Sequence, residues 1–301
     1  MVSNQEKANI LRRVFAGVVS TGADRILIMP DHSGLARPAA HDVEGQIKID
    51  YVEMPVADHQ VASTNAARAM AEQGADSIVT LGGDGTNRVV AKGAGTVPLI
   101  PISTGTNNVF PANTEGTLAG IAAGSMATGV LTIEEACRRS KRIDIYVNGE
   151  RRDDALVDAA VSDQMFVGAR AVWDTKTLQS MFLTRAEPAS IGLSSIGSRI
   201  MPISIDEEYG LYLRLTGEPG ENATTVRAPI APGTIADVEI MEWHKFHPGD
   251  KIEIDTQPGT IALDGEREVE LLPDQDVYAT LATDGPWVVD VQQAMMLLAA
   301  T

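Results

Sequence analysis

Apolar positions in the first half of the chain recur with two different periods. Ile10, Leu11, Val14, Phe15 and Val18 stand three or four apart, which predicts an amphipathic helix, and Gly22 is placed to cap its end. Ile26-Leu27-Ile28-Met29 is an unbroken apolar run closed by Pro30 and reads as a buried strand. Ile47, Ile49 and Tyr51 alternate with polar residues as a second strand, and the alanine-rich stretch 62–73, stopped by Gly74, reads as a helix. Ser77-Ile78-Val79-Thr80-Leu81 is a third strand running straight into Gly82-Gly83. Pro98-Leu99-Ile100-Pro101-Ile102 is a fourth; its prolines cannot donate to a ladder and predict a short or edge strand. Thr132 and Glu135 have the spacing of a capping box, which predicts a helix over 132–140. Strand alternating with helix implies a Rossmann-like α/β domain, its parallel sheet covered on both faces.

From Arg142 onward the pattern changes. Short β-branched runs are separated by Asn148-Gly149, Gly217-Glu218-Pro219-Gly220, Ala231-Pro232-Gly233, Pro248-Gly249-Asp250 and Pro258-Gly259, which predicts a mainly antiparallel β domain. The boundary falls near Lys141, giving an α/β domain over 1–141 and a β-rich domain over 142–285. Helical spacing returns in 289–300, where Val291, Met295 and Leu298 form one apolar face. That face needs a partner. The tail 286–301 is therefore expected to pack back on the N-terminal domain.

Composition narrows the class. The chain has 301 residues, of which 44% are hydrophobic, enough for real cores and too apolar for general disorder. No run of eighteen apolar residues occurs, the first residues lack the apolar stretch of a secretory signal, and Cys137 is the single cysteine. A cytoplasmic protein without membrane attachment is expected. The net charge of −17 opposes nucleic-acid and anionic-membrane partners but permits small anions held by backbone amides, local cations and Mg²⁺. Self-association is left open.

Three segments carry chemistry. Gly82-Gly83-Asp84-Gly85-Thr86-Asn87 follows a strand directly; such a glycine loop entering a helix cradles phosphate with backbone N–H groups, and Asp84 adds a carboxylate for Mg²⁺ or an attacking hydroxyl. An ordinary tight turn is the competing reading. Ser103-Thr104-Gly105-Thr106-Asn107-Asn108 follows the next strand and offers hydroxyls and amides to ribose, base or phosphate, or to its own backbone. Leu263-Asp264-Gly265-Glu266 lies in the β half, where Asp-Gly alone signals a hairpin.

Taken together and in this order, the three segments resemble the NAD kinase, diacylglycerol kinase and sphingosine kinase superfamily over nearly the whole chain. The run from Gly82 through Pro111, with Thr104-Gly105-Thr106-Asn107-Asn108-Val109-Phe110-Pro111, is most similar to the acetoin-catabolism X branch, described as ATP-NAD kinase-like. The resemblance implies a cytoplasmic kinase using ATP and Mg²⁺. It makes Asp84 the metal-organising or general-base carboxylate, Gly82, Gly83, Gly85 and Thr86 the phosphate loop, and Gly105, Thr106 and Asn108 a Gly-Thr-x-Asn element. Asp264 and Glu266 become a second carboxylate element. Two departures follow from the same comparison. NAD kinases carry an Asn-Glu pair where this chain has Val157-Asp158, so Asp158 stands in for the glutamate and the amide is missing. Related proteins also begin with a strand and an Asn-Pro-x-x-Gly loop that helps hold ATP, whereas this chain opens with a helix. A truncated start or a reduced triphosphate grip is implied.

Other residues are weaker candidates. Arg88 and Lys92 lie one helical turn apart after the glycine loop and either neutralise phosphate or face solvent. His244 and His247 lack a third metal ligand at suitable spacing and read as surface residues. Met295 and Met296 read as core filler. Arg185, Arg199 and Ser194-Ser195-Ile196-Gly197-Ser198 have the polarity to line an acceptor site. The expected activity is ATP-dependent phosphoryl transfer to a hydroxyl of NAD or a related small molecule, in a cleft between the domains, with a link to acetoin catabolism implied by the resemblance. The alternatives are a lipid kinase, which the charge opposes, and a non-catalytic nucleotide sensor.

Overall fold

The computed structural model of the protein describes residues 2–31, 33–54, 59–165 and 175–300, with His59, Arg267 and Glu268 described by backbone only. It divides into two compact units, one of 1–106, 111–139 and 286–301, the other of 107–110 and 140–285.

The first unit opens with α1 (Asn4–Ser20), β1 (Arg25–Ile28), α2 (Arg37–Asp42), β2 (Lys48–Tyr51), α3 (His59–Glu72), β3 (Ile78–Gly82), α4 (Asp84–Ala94) and β4 (Leu99–Ser103). It continues with α5 (Gly116–Ala127), α6 (Ile133–Ala136) and β5 (Cys137–Arg139). The apolar stripe of α1 packs against α5 so closely that a Cβ at Gly120 would stand 2.1 Å from the Val14 carbonyl oxygen, which only glycine avoids. Strand β1 pairs in parallel with β2, and β3 with β4. Two expectations change here. The predicted 132–140 helix is one turn long, because Thr132 Oγ1 donates to the Glu135 carboxylate instead of capping a backbone amide, and the chain goes into β5. Strand β4 is short, at five residues, but it is not an edge: β3 pairs along one side and β18 joins the other at Leu99. As expected, the chain opens with the helix α1, and the first strand, β1, follows it.

The second unit is antiparallel throughout its named sheets. It contains β6 (Arg142–Val147), β7 (Glu150–Ala155), β8 (Asp158–Ser162), β9 (Leu178–Leu183), α7 (Ser194–Ser198), β10 (Gly210–Arg214), β11 (Thr224–Ala231) and β12 (Thr234–Ile240). After these come β13 (Glu242–Phe246), β14 (Ile252–Glu253), β15 (Gly259–Leu263), β16 (Glu266–Leu271) and β17 (Val277–Ala282). A six-stranded sheet runs β13-β10-β9-β8-β15-β16, a four-stranded one β14-β17-β6-β7, and β11 with β12 forms a separate ribbon. Alternating side chains bury one apolar cluster around Phe182, Phe246 and Ile261, and another around Met181, Leu211 and Ile230.

The chain then returns to the first unit. β18 (Trp287–Val289) enters its sheet, giving the order β3-β4-β18-β5, parallel to β4 and antiparallel to β5. α8 (Val291–Ala299) follows, capped by Asp290 accepting from Gln293 N at 2.9 Å. Val291, Met295 and Leu298 pack on the core that contains Ile100 and Ala122, whereas Met296 is exposed and fills nothing. The fold is a parallel-sheet α/β domain joined to a mainly antiparallel β domain.

Candidate functional site

Strand β3 passes into α4 with Gly83 as the only residue between them. Gly83 is extended (φ −103°, ψ −168°), so its conformation alone does not demand glycine. Gly82 is required by packing, since a Cβ there would lie 2.5 Å from the Thr86 side chain. Fully buried Asn87 fastens the corner: its Oδ1 accepts from Thr80 Oγ1 at 2.6 Å and its Nδ2 donates to the Gly83 carbonyl at 2.9 Å. Asn87 thus holds the loop in shape.

The α4 terminus differs from the ends of the other long helices whose caps are described. α1 is capped by Ser3, α5 by Glu115 and α8 by Asp290, but no side chain caps α4. A helix start leaves backbone N–H groups without intrahelical acceptors and carries the positive end of the helix dipole. Buried Asp84 is the first helical residue, with Gly85 and Thr86 beside it. One turn further, Arg88 is 1% exposed, so its solvent-facing reading is excluded; Lys92 is the exposed member of that pair.

The second loop starts beside the first, because Gly82 and Ser103 are register partners and Thr104 N donates to the Gly82 carbonyl at 3.2 Å. Thr104 is buried and its carbonyl accepts from Val2 N at 3.0 Å. Gly105 and Thr106 are exposed and close the first unit's part of the loop. Asn107 and Asn108 are half-buried in the second unit, and Asn107 Oδ1 is buried without a hydrogen-bond partner.

In the second unit, Asp264 and Gly265 (φ +50° and +82°) form the tight turn between β15 and β16. The Asp264 carboxylate is buried and accepts from Leu156 N at 2.9 and 3.1 Å, Val157 N at 2.7 Å and Asp158 N at 3.2 Å. Its own N–H donates to the Asp158 carbonyl at 2.9 Å. Thus the carboxylate binds the bend between β7 and β8 and fixes the backbone that carries Asp158. Asp158 is buried at the start of β8, Val157 is fully buried, and Glu266 is exposed at the start of β16.

Several polar residues have structural duties. Ser194 to Ser198 form the buried helix α7, not an open lining loop; Ser195 Oγ is shared between the Gly192 and Pro229 carbonyls at 2.7 and 3.1 Å. Arg185 is buried, lies 5.2 Å over the Phe110 ring and donates to Ser140 Oγ at 2.9 Å. Lys141, which the sequence marked only as a boundary, donates to the carbonyls of Ser204, Glu207 and Tyr209 at 3.1, 2.5 and 3.0 Å. Burial, aided by nearby Arg185, pushes its pKa down to about 8. No local motif signals this cage, since its acceptors lie more than sixty positions away. Burial and then Glu134 push the Cys137 thiol up to about 11, far from a reactive thiolate. His244 and His247 are exposed, and no cluster of three or more metal-ligating residues occurs among the described residues.

Two matches cover the two units in turn. Residues 5–130 match the ATP-NAD kinase N-terminal domain, and residues 141–284 match the acetoin catabolism protein X C-terminal domain. Acetoin catabolism protein X of Cupriavidus necator is 40% identical over 302 residues, spanning 96% of this chain and 84% of that protein. The chain belongs to the acetoin catabolism protein X family. Yeast NADH kinase complexed with NADH is a structural neighbour, with a TM-score of 0.49 at 12% identity over 96% of this chain and 82% of that one. In this acetoin catabolism protein X family member, the glycine loop falls within the kinase-type match, and Asp158 and Asp264 within the family's own C-terminal domain. No helix among the described residues is long and apolar enough to cross a membrane.

Proposed function

We propose that this acetoin catabolism protein X family member is an ATP-dependent phosphotransferase acting on a hydroxyl of NAD or a related small molecule. The observation carrying the proposal is the uncapped start of α4 at the carboxyl end of β3, with Asp84 in its first turn. Those N–H groups and the dipole favour phosphate oxygens. Asp84 gives that choice a consequence. A carboxylate beside a triphosphate repels it unless a cation or a transferable proton intervenes, and phosphoryl-transfer sites use such a carboxylate for one of these purposes.

The residues fit Mg²⁺ as a partner held mostly by the nucleotide. Asp84 offers one carboxylate and the described residues form no three-ligand cage, which suits an ion that keeps water and phosphate oxygens and takes one or two protein carboxylates. Bound there, the ion would neutralise charge on the transferring group. The protein's share is then positioning: Asn87 and Thr80 keep the loop rigid, the α4 amides orient phosphate oxygens, and Asp84 stands at the reacting end. Asp264 acts through the backbone it holds, presenting Asp158. The ATP-NAD kinase match supports ATP as donor and a nicotinamide dinucleotide as acceptor. The buried apolar Val157 argues for an acceptor contact different from an amide-carboxylate pair.

The test is turnover by the full chain with radiolabelled ATP, Mg²⁺ and NAD or NADH, compared with Asp84→Asn. Transfer that disappears in the variant, at an unchanged melting temperature, supports the assignment. Wild-type turnover in Asp84→Asn would remove Asp84 from the chemistry, and a parent chain that binds ATP without turnover would leave a nucleotide sensor.

A further inference from the structure

The second unit contains a solvent-open pocket of about 350 Å³ that the phosphate-loop reading does not use. Arg199, Ile200, Asn222, Thr224, Val226 and Trp243 line it. Three facts fix what it can hold. First, its walls are set by the fold. Arg199 caps α7, its N–H donating to the Gly197 and Ile196 carbonyls, and the Asn222 amide is tied at both ends to the Trp243 backbone, Oδ1 accepting from Trp243 N at 3.3 Å. Second, its charge has one sign. No acidic residue lines the cavity, although the chain has 41 acidic residues against 24 basic ones. The nearest carboxylate in sequence to Trp243, Glu242, points to the opposite face of β13 and pairs with Arg214 at 2.9 Å. Arg199 is exposed and has no ion-pair partner among the described residues. Third, the rest of the lining includes apolar side chains: Trp243, Ile200 and Val226 adjoin the buried cluster around Leu211.

A guanidinium binds carboxylate or phosphate bidentately, an indole face accepts a ring, and the Thr224 hydroxyl can bond either an anion or a ring substituent. A volume near the lower end of ligand pockets, roughly 300–1,000 Å³, suits one ring with its anionic group. We infer that this cavity is a binding site for a small planar anion, an aromatic or heteroaromatic carboxylate or monophosphate. The site belongs wholly to the second unit and does not depend on the glycine loop.

The experiment is calorimetric and tryptophan-fluorescence titration of the full chain with benzoate and with phenyl phosphate; benzamide supplies the ring without charge and inorganic phosphate the charge without a ring. Saturable one-to-one binding is expected at about millimolar or tighter, as befits probes of some ten heavy atoms. Quenching should be lost in Trp243→Phe. Arg199→Gln, at an exposed position, should weaken binding about tenfold with an unchanged melting temperature, and Arg199→Lys should restore part of it. Each half-probe should bind about tenfold more weakly or worse. Which of the two full probes binds more tightly identifies the anionic group. The same titration in Gly83→Val should be unaltered, which separates this site from the phosphate loop. The inference is overturned if neither full probe saturates by about 20 mM, if Arg199→Gln binds like the parent, or if Gly83→Val abolishes binding.

Discussion

Asp264→Asn separates a carboxylate that organises backbone from one that does chemistry. Asparagine tolerates the left-handed conformation at this position (φ +50°), so the turn itself is preserved. With its carbonyl in place of Oδ1, the variant keeps acceptors for Val157 N and Asp158 N. Its NH₂ group, however, takes the place of Oδ2, which Leu156 N now meets at 2.9 Å, leaving that amide only the longer 3.1 Å contact to the retained oxygen. One hydrogen bond becomes a donor-donor opposition in a buried place, and the surviving bonds lose their charge assistance, which roughly halves them. Taking about 1.5 kcal/mol for the lost bond and a similar sum for the weakened ones gives about 3 kcal/mol. At about 2–4 °C per kcal/mol for domains of this size, the melting temperature should fall by about 6–12 °C. Differential scanning calorimetry at neutral pH measures it. A melting temperature within about 1 °C of the parent, accompanied by loss of transfer, would show that Asp264 acts on a ligand and that its three amide bonds are incidental.

Other expectations follow from the same geometry. ATP with Mg²⁺ should raise the melting temperature by mass action, and Gly83→Val should abolish the rise by placing a branched side chain at the uncapped start of α4; an undiminished rise would move the triphosphate elsewhere. Lys141 has a folded pKa of about 8 against an ordinary 10.5, so the unfolded chain binds the extra proton between those values and stability should increase as pH rises through that window. Lys141→Met should flatten this slope in pH-dependent denaturation, and an unchanged slope would reassign it. Deleting the chain after Gly285 removes Val289 and Ala294 from the core of the first unit, so hydrogen exchange should accelerate in α1 and α5 and ATP binding should weaken; unchanged protection there would show that the tail supports nothing.

Much of this was legible because local chemistry and tertiary demand agree. The 3.6-residue spacing of Val14 and Val18 and the Asp264-Gly265 turn each do what their type favours. The misreadings share a cause, which is long-range pairing. Pro101 suggested an edge, but β18, nearly two hundred residues later, supplies the other neighbour. The capping-box pair of Thr132 and Glu135 was cut short because residues 137–139 are needed to pair with β18. Ser194, Ser195 and Ser198 looked like ligand groups because their burial in α7 comes from packing against distant segments; Ser195 Oγ, for one, also bonds the Pro229 carbonyl, 34 residues on. At the glycine loop the motif located the turn between β3 and α4, yet it did not reveal that Asn87 is spent on Thr80 and Gly83, nor that Arg88 is buried.

The insertion of β18 between β4 and β5 also sets an order of events during synthesis. The ribosome delivers β3, β4 and β5 early, but the strand that joins β4 to β5 is encoded after the whole of residues 140–285. While that segment is being made, the facing sides of β4 and β5 lack their ladder partner, and the cavity for Val289 and Ala294 is unfilled. The intervening β-rich segment is continuous apart from 107–110 and can collapse as soon as it emerges. The first unit of the nascent chain is therefore the last to close, and it is the part for which a holdase, or a pause in translation around the codons of β18, would matter most.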